Sequence, residues 1–308
     1  MNDVSTGPSG AGGKEYLLVA RIGRKSLHAR WLAPASARNF DVFLSCYDPG
    51  VPAETGEGIR FEYRKGKKVE GYSGFLNEHA SLLRNYKYIC FFDEDIDVNA
   101  GAISGTFDVC RKYNLKIAQP ALTWDSHFTF AALLKQPGFD LRYVNYIEMM
   151  CPFFREDILE RIAPLYSLGF ESGIDVIWCN LVSEGPEDFA VIDRFPVRHT
   201  EPVGGNKAAN GFVGKRIYED DIYAILKMFK LPWLRTVPFS GIAQSGGPIA
   251  SRLHLFLSAI LLLGAVSLQR PFMYRLRAVL VYLRHLMLGP APNIKVSLPN
   301  SHPHIIQG

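Results

Sequence analysis

The sequence predicts an α/β protein built on a mostly parallel sheet, and three observations carry that expectation. Apolar runs recur at residues 16–20 (YLLVA), 41–46 (DVFLSC) and 88–92 (YICFF) with little polar alternation, as strands covered on both faces require. Residues 74–85 place apolar side chains at helical spacing and lead directly into the third run. The order strand, helix, strand implies parallel pairing through a crossover.

The remaining elements follow in order. Residues 26–36, carrying Arg30 and Trp31, read as a helix or loop between the first two strands, and the second strand ends at the turn-forming Asp48-Pro49-Gly50. The same grammar predicts a helix over 106–113, a strand over 116–118, and a strand over 143–152 that enters a helix over 155–166. A late strand covers 189–199. No repeat of solenoid period interrupts the chain. One domain over residues 14–250 is the economical division. With 308 residues and a hydrophobic fraction of 48%, it has ample material for a packed core. Residues 1–13 are rich in Gly, Ser and Thr without the apolar stretch of a signal peptide, so a disordered leader on a cytoplasmic protein is expected. The five cysteines are odd in number, scattered and never in a C-x-x-C pair, which suits reduced core thiols.

Charge is unevenly spread. The chain is +4 overall, yet residues 251–308 hold Arg252, Arg270, Arg275, Arg277, Arg284 and Lys295 with no acid, which leaves the body slightly negative. Such a body does not suit a nucleic-acid binder, which needs a dense cationic footprint. In the tail, residues 253–268 are almost wholly apolar but fall short of the ~20 residues needed to span a bilayer. After Arg270-Pro271 the run MYRLRAVLVYLRHLML sets arginines among apolar residues at helical spacing. Two readings stand side by side. One is a peripheral anchor on an anionic membrane surface at the inner face of the membrane. The other is a helical cap on the body or on a subunit partner.

The chemical focus is residues 86–98, YKYICFFDEDIDV. If the strand continues past Phe92, Asp93, Asp95 and Asp97 share one face, because side chains alternate with period two. Three such carboxylates raise at least one pKa by repulsion, whereas a divalent cation favours all three as anions. Hard oxygen ligands suit Mn²⁺ or Mg²⁺, which keep positions for phosphate oxygens. The cluster also ends the most apolar strand, and open α/β sheets bind ligands beyond that end. A calcium loop of the EF-hand type does not fit, since Val98 stands where Gly is needed and Ser104 where Glu is needed. A solvated acidic turn is the plain structural alternative.

On these residues the chain resembles the GT-A glycosyltransferases, in which a D-x-D motif after an apolar strand binds the metal and the nucleotide diphosphate. More narrowly it resembles an uncharacterised GT-A-like family. The resemblance is carried by FFDEDIDV at 91–98, QPAL at 119–122, YVNYIEMMCPFF at 143–154, GFESGIDVIW at 169–178 and IDRFPVRHTEPVGG at 192–205. It implies a GT-A fold, Rossmann-like with flanking helices, a nucleotide-sugar donor, and a glycan or lipid-linked acceptor. It matches Asp93 and Asp95 with the D-x-D, Asp95 being the direct metal ligand, and His199 with a late-strand histidine that completes metal coordination. Glu171 and Asp175 match an acidic motif that opens a helix near the acceptor and supplies the base. The spacing E-S-G-I-D departs from the usual adjacent acid pair and leaves the choice between them open. Glu148 is a third candidate, since a carboxylate within an apolar strand segment is costly unless paired or functional.

For the donor phosphates the front half offers Arg21, just after the first strand, and Lys68, at the end of the R-K-G-K-K run at 64–68. The ordinary reading of such a run is a solvated hairpin tip. No Walker loop, H-E-x-x-H or post-strand G-x-G-x-x-G occurs. The expected reaction has metal on Asp95 and His199 neutralising a leaving diphosphate while an acid at 171 or 175 takes the acceptor proton, which implies inversion. The rival classes are a metal-dependent phosphoesterase and a non-catalytic nucleotide- or carbohydrate-binding protein.

Overall fold

The computed structural model describes residues 13–203, 218–267 and 271–299. The expected leader, apart from Gly13, lies outside them, as do Gly204, Gly205 and the last nine residues of the tail. The apolar runs form β1 (Tyr16–Ile22), β2 (Phe40–Cys46) and β4 (Tyr88–Phe92), with the edge strand β3 (Ile59–Tyr63) between the last two. Helices α1 (Ala29–Leu32), α2 (Lys68–Glu78) and α3 (Ala80–Leu83) join them. Then come β5 (Ile96–Asp97), α4 (Ala100–Lys112), β6 (Ile117–Leu122), β7 (Phe139–Val144), β8 (Phe153–Arg155), α5 (Glu156–Ile162), α6 (Asp175–Val182) and β9 (Phe189–His199). The chain closes with α7 (Tyr218–Met228), β10 (Pro238–Ala243), β11 (Pro248–Ile249), α8 (Arg252–Ser267) and α9 (Phe272–Leu288).

The strands assemble in the order β11-β10-β7-β9-β6-β8-β4-β1-β2-β3. Four strands, β3-β2-β1-β4, are parallel throughout, and β6 is parallel to β9. The short β8 runs antiparallel between β4 and β6, so those two share a direction, and β7, β10 and β11 add antiparallel pairs at the far edge. Seven strands, β1–β4, β6, β9 and β10, therefore point the same way, and the chain leaves Phe92, Leu122 and His199 along one edge of the sheet.

Period-two alternation explains how both faces are covered. Phe91 stacks on Tyr72 of α2 at 4.5 Å and meets Tyr166 and Phe154, and Phe154 meets Trp178 of α6. The adjacent Phe92 turns the other way, against Trp31 of α1 and Phe153, which in turn packs on Phe107 of α4. The five cysteines are all free and buried.

Several expectations change. The strand ends at Phe92 instead of continuing, residues 94 and 95 form a turn, and Ile96–Asp97 pairs antiparallel with Arg198 and His199. Residues 143–152 are not one strand: β7 ends at Val144, and a loop crosses to β8. The helix after the acidic cluster starts at Ala100, where the Asn99 side chain accepts from Ala102 N at 2.9 Å.

The tail packs on the body through its inner face. Leu255, Ala259, Leu262, Val266, Val279, Tyr282 and Leu283 are buried. Gln136 ties both helices down, donating from Nε2 to Tyr282 Oη (2.9 Å) and accepting at Oε1 from Ser258 Oγ (2.7 Å). No helix among the described residues is long and apolar enough to cross a membrane.

Candidate functional site

The turn after β4 and the end of β9 are held together by backbone pairing, and this brings Asp95 to His199. Ile96 pairs with His199, and Thr200 donates from both N and Oγ1 to Asp95 O. Asp95 Oδ2 then lies 3.1 Å from His199 Nε2, while Asp95 Oδ1 is buried with no hydrogen-bond partner. His199 Nδ1 donates to His127 O at 2.9 Å, and His127 N returns a bond to His199 O. A ring held this way at Nδ1 aims Nε2 at the carboxylate, the second-sphere arrangement that orients metal-binding imidazoles. Burial disfavours charge on the ring, yet the bond and charge of Asp95 raise His199 to about 9. Burial also opposes ionisation of Asp95, and the bond and charge of His199 outweigh it, so its pKa sits below the ordinary range. One oxygen without a partner and an exchangeable Nε2 proton form a nitrogen-and-oxygen donor pair that fits a divalent cation.

Asp93 faces a different partner. Lys68 Nζ lies 2.5 Å from Asp93 Oδ1 and also donates to Met149 O at 3.2 Å. Burial pushes the Asp93 carboxyl above its ordinary range against the pull of Lys68. Among the described residues, the only trio of such groups with all ligand atoms within 4.8 Å is Glu62, Glu78 and His79, so Asp93, Asp95 and His199 do not close to that distance. That other trio is engaged by Arg64, which pairs with Glu62 at 2.7 Å and Glu78 at 2.7 Å.

Asp97 leaves the expected common face. Once the strand breaks at the turn, period two no longer applies, and Asp97 pairs with Arg30 on the surface. Glu94 serves the first crossover, accepting from Gly23 N (2.8 Å) and Tyr47 Oη (2.7 Å). Arg21 is likewise not presented to a ligand. It is buried, donating from Nη1 to Ser45 Oγ and Arg64 O and from Nη2 to Gly66 O. Its role is to hold the loop that delivers Lys68.

The three candidate bases differ in what already occupies them. Glu171 accepts from Val69 N at 3.1 Å and so caps the start of α2 from outside. Asp175 is buried, and its Oδ2 accepts from Tyr146 Oη (2.8 Å) and Met149 N (3.2 Å), fixing the loop that contains Glu148. Glu148 lies in that loop and not in a strand. Its own N–H donates to Gln119 Oε1, and its Oε2 is buried without a partner. Burial and the charge of Asp175 push Glu148 up to about 7, against the pull of His199, Thr129 and Lys68. A buried carboxyl near 7 with a vacant lone pair can take a proton at neutral pH.

Sequence reasoning missed the segment 124–128 and its clamp. Arg275 of α9 donates from Nη1 to Trp124 O (2.9 Å) and from Nη2 to Ser126 O (2.9 Å), and Tyr274 Oη donates to Phe128 O (3.0 Å). The same segment meets His199 on its other side, where His199 N donates to Ser126 Oγ at 3.2 Å and His127 O accepts from Nδ1. An arginine in a tail without acids was the available signal, since a buried guanidinium must find acceptors. Carbonyls fill that role, and a sequence does not mark them.

No protein-family model matches the chain, and no curated protein matches it. Solved structures do. One is the crystal structure of S. aureus TarS 1-349 in complex with UDP-GlcNAc, at 6% identity and a TM-score of 0.40, with 89% of this chain and 73% of that chain covered. Another is A197 from STIV, at 12% identity and a TM-score of 0.37, covering 61% of this chain and 86% of that one. With TM-scores below 0.5, these likenesses assign no residue and no activity.

Proposed function

We propose that the chain is a metal-dependent, GT-A-type glycosyltransferase that moves a sugar from a nucleotide-sugar donor to a hydroxyl on a glycan or lipid-linked acceptor. The observation that carries this reading is the meeting of Asp95 with His199, one carboxylate oxygen left without a partner and the imidazole aimed by His127 O. Asp95 and His199 would hold Mn²⁺ or Mg²⁺, with Asp93 alongside. When bound, such an ion supplies Lewis-acid help to a diphosphate leaving group.

The protein's own groups do the rest. Lys68, fixed by the loop that Arg21 holds, offers a compact positive charge to a phosphate oxygen. Glu148 accepts the proton of the acceptor hydroxyl as that oxygen bonds to the anomeric carbon and the bond from that carbon to the diphosphate oxygen breaks. Asp175 keeps the Glu148 loop in place through Tyr146 and Met149. A base on the acceptor side implies inversion at the anomeric carbon. Glu148 replaces Glu171 and Asp175 as the preferred base because each of those already has an oxygen engaged by a backbone N–H.

The test is turnover of a panel of sugar nucleotides, UDP-GlcNAc among them, with and without Mn²⁺. Metal-dependent release of nucleoside diphosphate, lowered ~10²-fold or more in Asp95→Ala, is expected. Metal-independent turnover, or none with any sugar nucleotide, removes the reading. Hydrolysis of simple phosphoesters in its place would favour a phosphoesterase.

A further inference from the structure

We infer that the outward face of the α8–α9 pair rests on an anionic lipid surface. In α8 one stripe is buried against the body, and the opposite stripe, Leu253, Leu257 and Leu261, is exposed, with Leu253 at 66%. A helix that is apolar all round normally has both sides covered, and here only one side is. In α9, Met273 (71%), Leu280, Val281, Met287 (73%) and Leu288 are exposed together. Arg277 and Arg284, seven residues apart, lie exposed on that same face. The two helices pack against each other, with Arg252 Nη2 donating to Leu286 O at 3.2 Å, so the exposed stripes are neighbours.

The chemistry of this face selects its occupant. A second copy meeting it about a twofold axis would set arginines against arginines, because residues 251–308 contain no Asp or Glu to pair with them. A lipid surface suits both halves of the pattern. Leucine and methionine enter the acyl boundary, and arginines extend to the phosphates with their stems along the apolar surface. Among the described residues neither helix is long and apolar enough to cross, which suits a pair lying in the plane of the interface. A cavity of about 230 Å³ between β10 and these helices, lined by Val237, Phe239, Arg252, Leu255 and Leu286 among others, includes none of the acidic-site residues.

The test is flotation of the full chain with vesicles of phosphatidylcholine alone and of phosphatidylcholine with phosphatidylglycerol. It uses no sugar nucleotide, so it stands or falls independently of the transferase reading. The unmutated chain is expected to float with the anionic vesicles, to float poorly with the neutral ones, and to detach as salt rises. Arg277→Glu with Arg284→Glu should weaken partition about fivefold or more for each cation lost. Leu257→Gln with Leu261→Gln should weaken it comparably. Reversal of Arg60 and Lys112, exposed on the body, should leave it unchanged. An unmutated chain that stays at the bottom with anionic vesicles, or partitions equally onto neutral ones, overturns the inference. So does a concentration-dependent dimer in sedimentation that the leucine pair abolishes, because a second copy then covers the face.

Discussion

At the scale of single residues, Glu148 is the group whose chemistry is least explained by structure alone. An acid buried with one oxygen unpartnered destabilises the fold when ionised, and burial has moved its pKa to about 7. Two measurements follow with signs that can be worked out. Turnover should rise with pH until about 7 and then level, because only the carboxylate accepts a proton. Glu148→Gln should remove that rise and lower turnover ~10²- to 10⁴-fold. Stability moves the opposite way. A folded pKa above the unfolded one gives a contribution that is complete below about 4.5 and is lost as pH rises through about 7. Thermal melts should therefore find Glu148→Gln more stable than the unmutated protein at pH 8, with the gap narrowing at pH 5. Equal melting temperatures at both pH values would mean that Glu148 is hydrated and ordinary. The sequence made this residue legible by its cost among apolar neighbours, but not its place, since the run 143–152 contains no Gly to mark where the strand gives way to loop.

At the scale of elements, the segment 124–128 converts packing of the tail into geometry at the site. Its carbonyls face α9, and its Ser126 and His127 face His199. The guanidinium of Arg275 fixes two of those carbonyls at once, a geometry that lysine cannot copy. Arg275→Met should weaken Mn²⁺ binding ~10- to 100-fold, as loss of an outer-sphere partner does, and Arg275→Lys should recover only part of it. Calorimetry with Mn²⁺ alone checks this, with circular dichroism confirming that the variants fold. Unchanged affinity in both would break the link between tail and site. Truncation after residue 250 is accordingly not a clean removal of an appendage, because it takes away the partners of Gln136 and of the 124–128 carbonyls together. Elements with continuous apolar patterns, such as β4 over Tyr88–Phe92, were readable to the residue. The half-exposed β3 and the Pro- and Gly-interrupted β10 and β11 were not, because their pattern is that of a loop and their pairing is set by distant strands.

At the scale of the whole molecule, the site depends on strands far apart in sequence ending at one edge, and one buried ion pair secures the junction between the body and its cap. Arg142 of β7 and Asp193 of β9 are fully buried at 2.8 Å, and Arg142 also holds Ala132 O and Leu134 O while Asp193 accepts from Gln136 N. The pair thus shapes the turn on which α9 packs and orients the glutamine that binds both tail helices. The local sequence marks neither partner for the other, which are 51 residues apart, so nothing short of the fold could join them. Removing one charge leaves the other buried without compensation, which costs ~3–5 kcal/mol, whereas replacing both by apolar side chains of similar size can be nearly neutral. Asp193→Ala should therefore lower the unfolding free energy read from denaturant melts by that amount, and Arg142→Met with Asp193→Leu should recover much of it. If the double variant recovers stability yet loses Mn²⁺ affinity, the pair acts on the site by positioning the 132–136 segment beneath the cap. If the single variant costs less than ~1 kcal/mol, the junction is held by apolar packing instead, and the wiring from sheet through cap to His199 does not run through these charges.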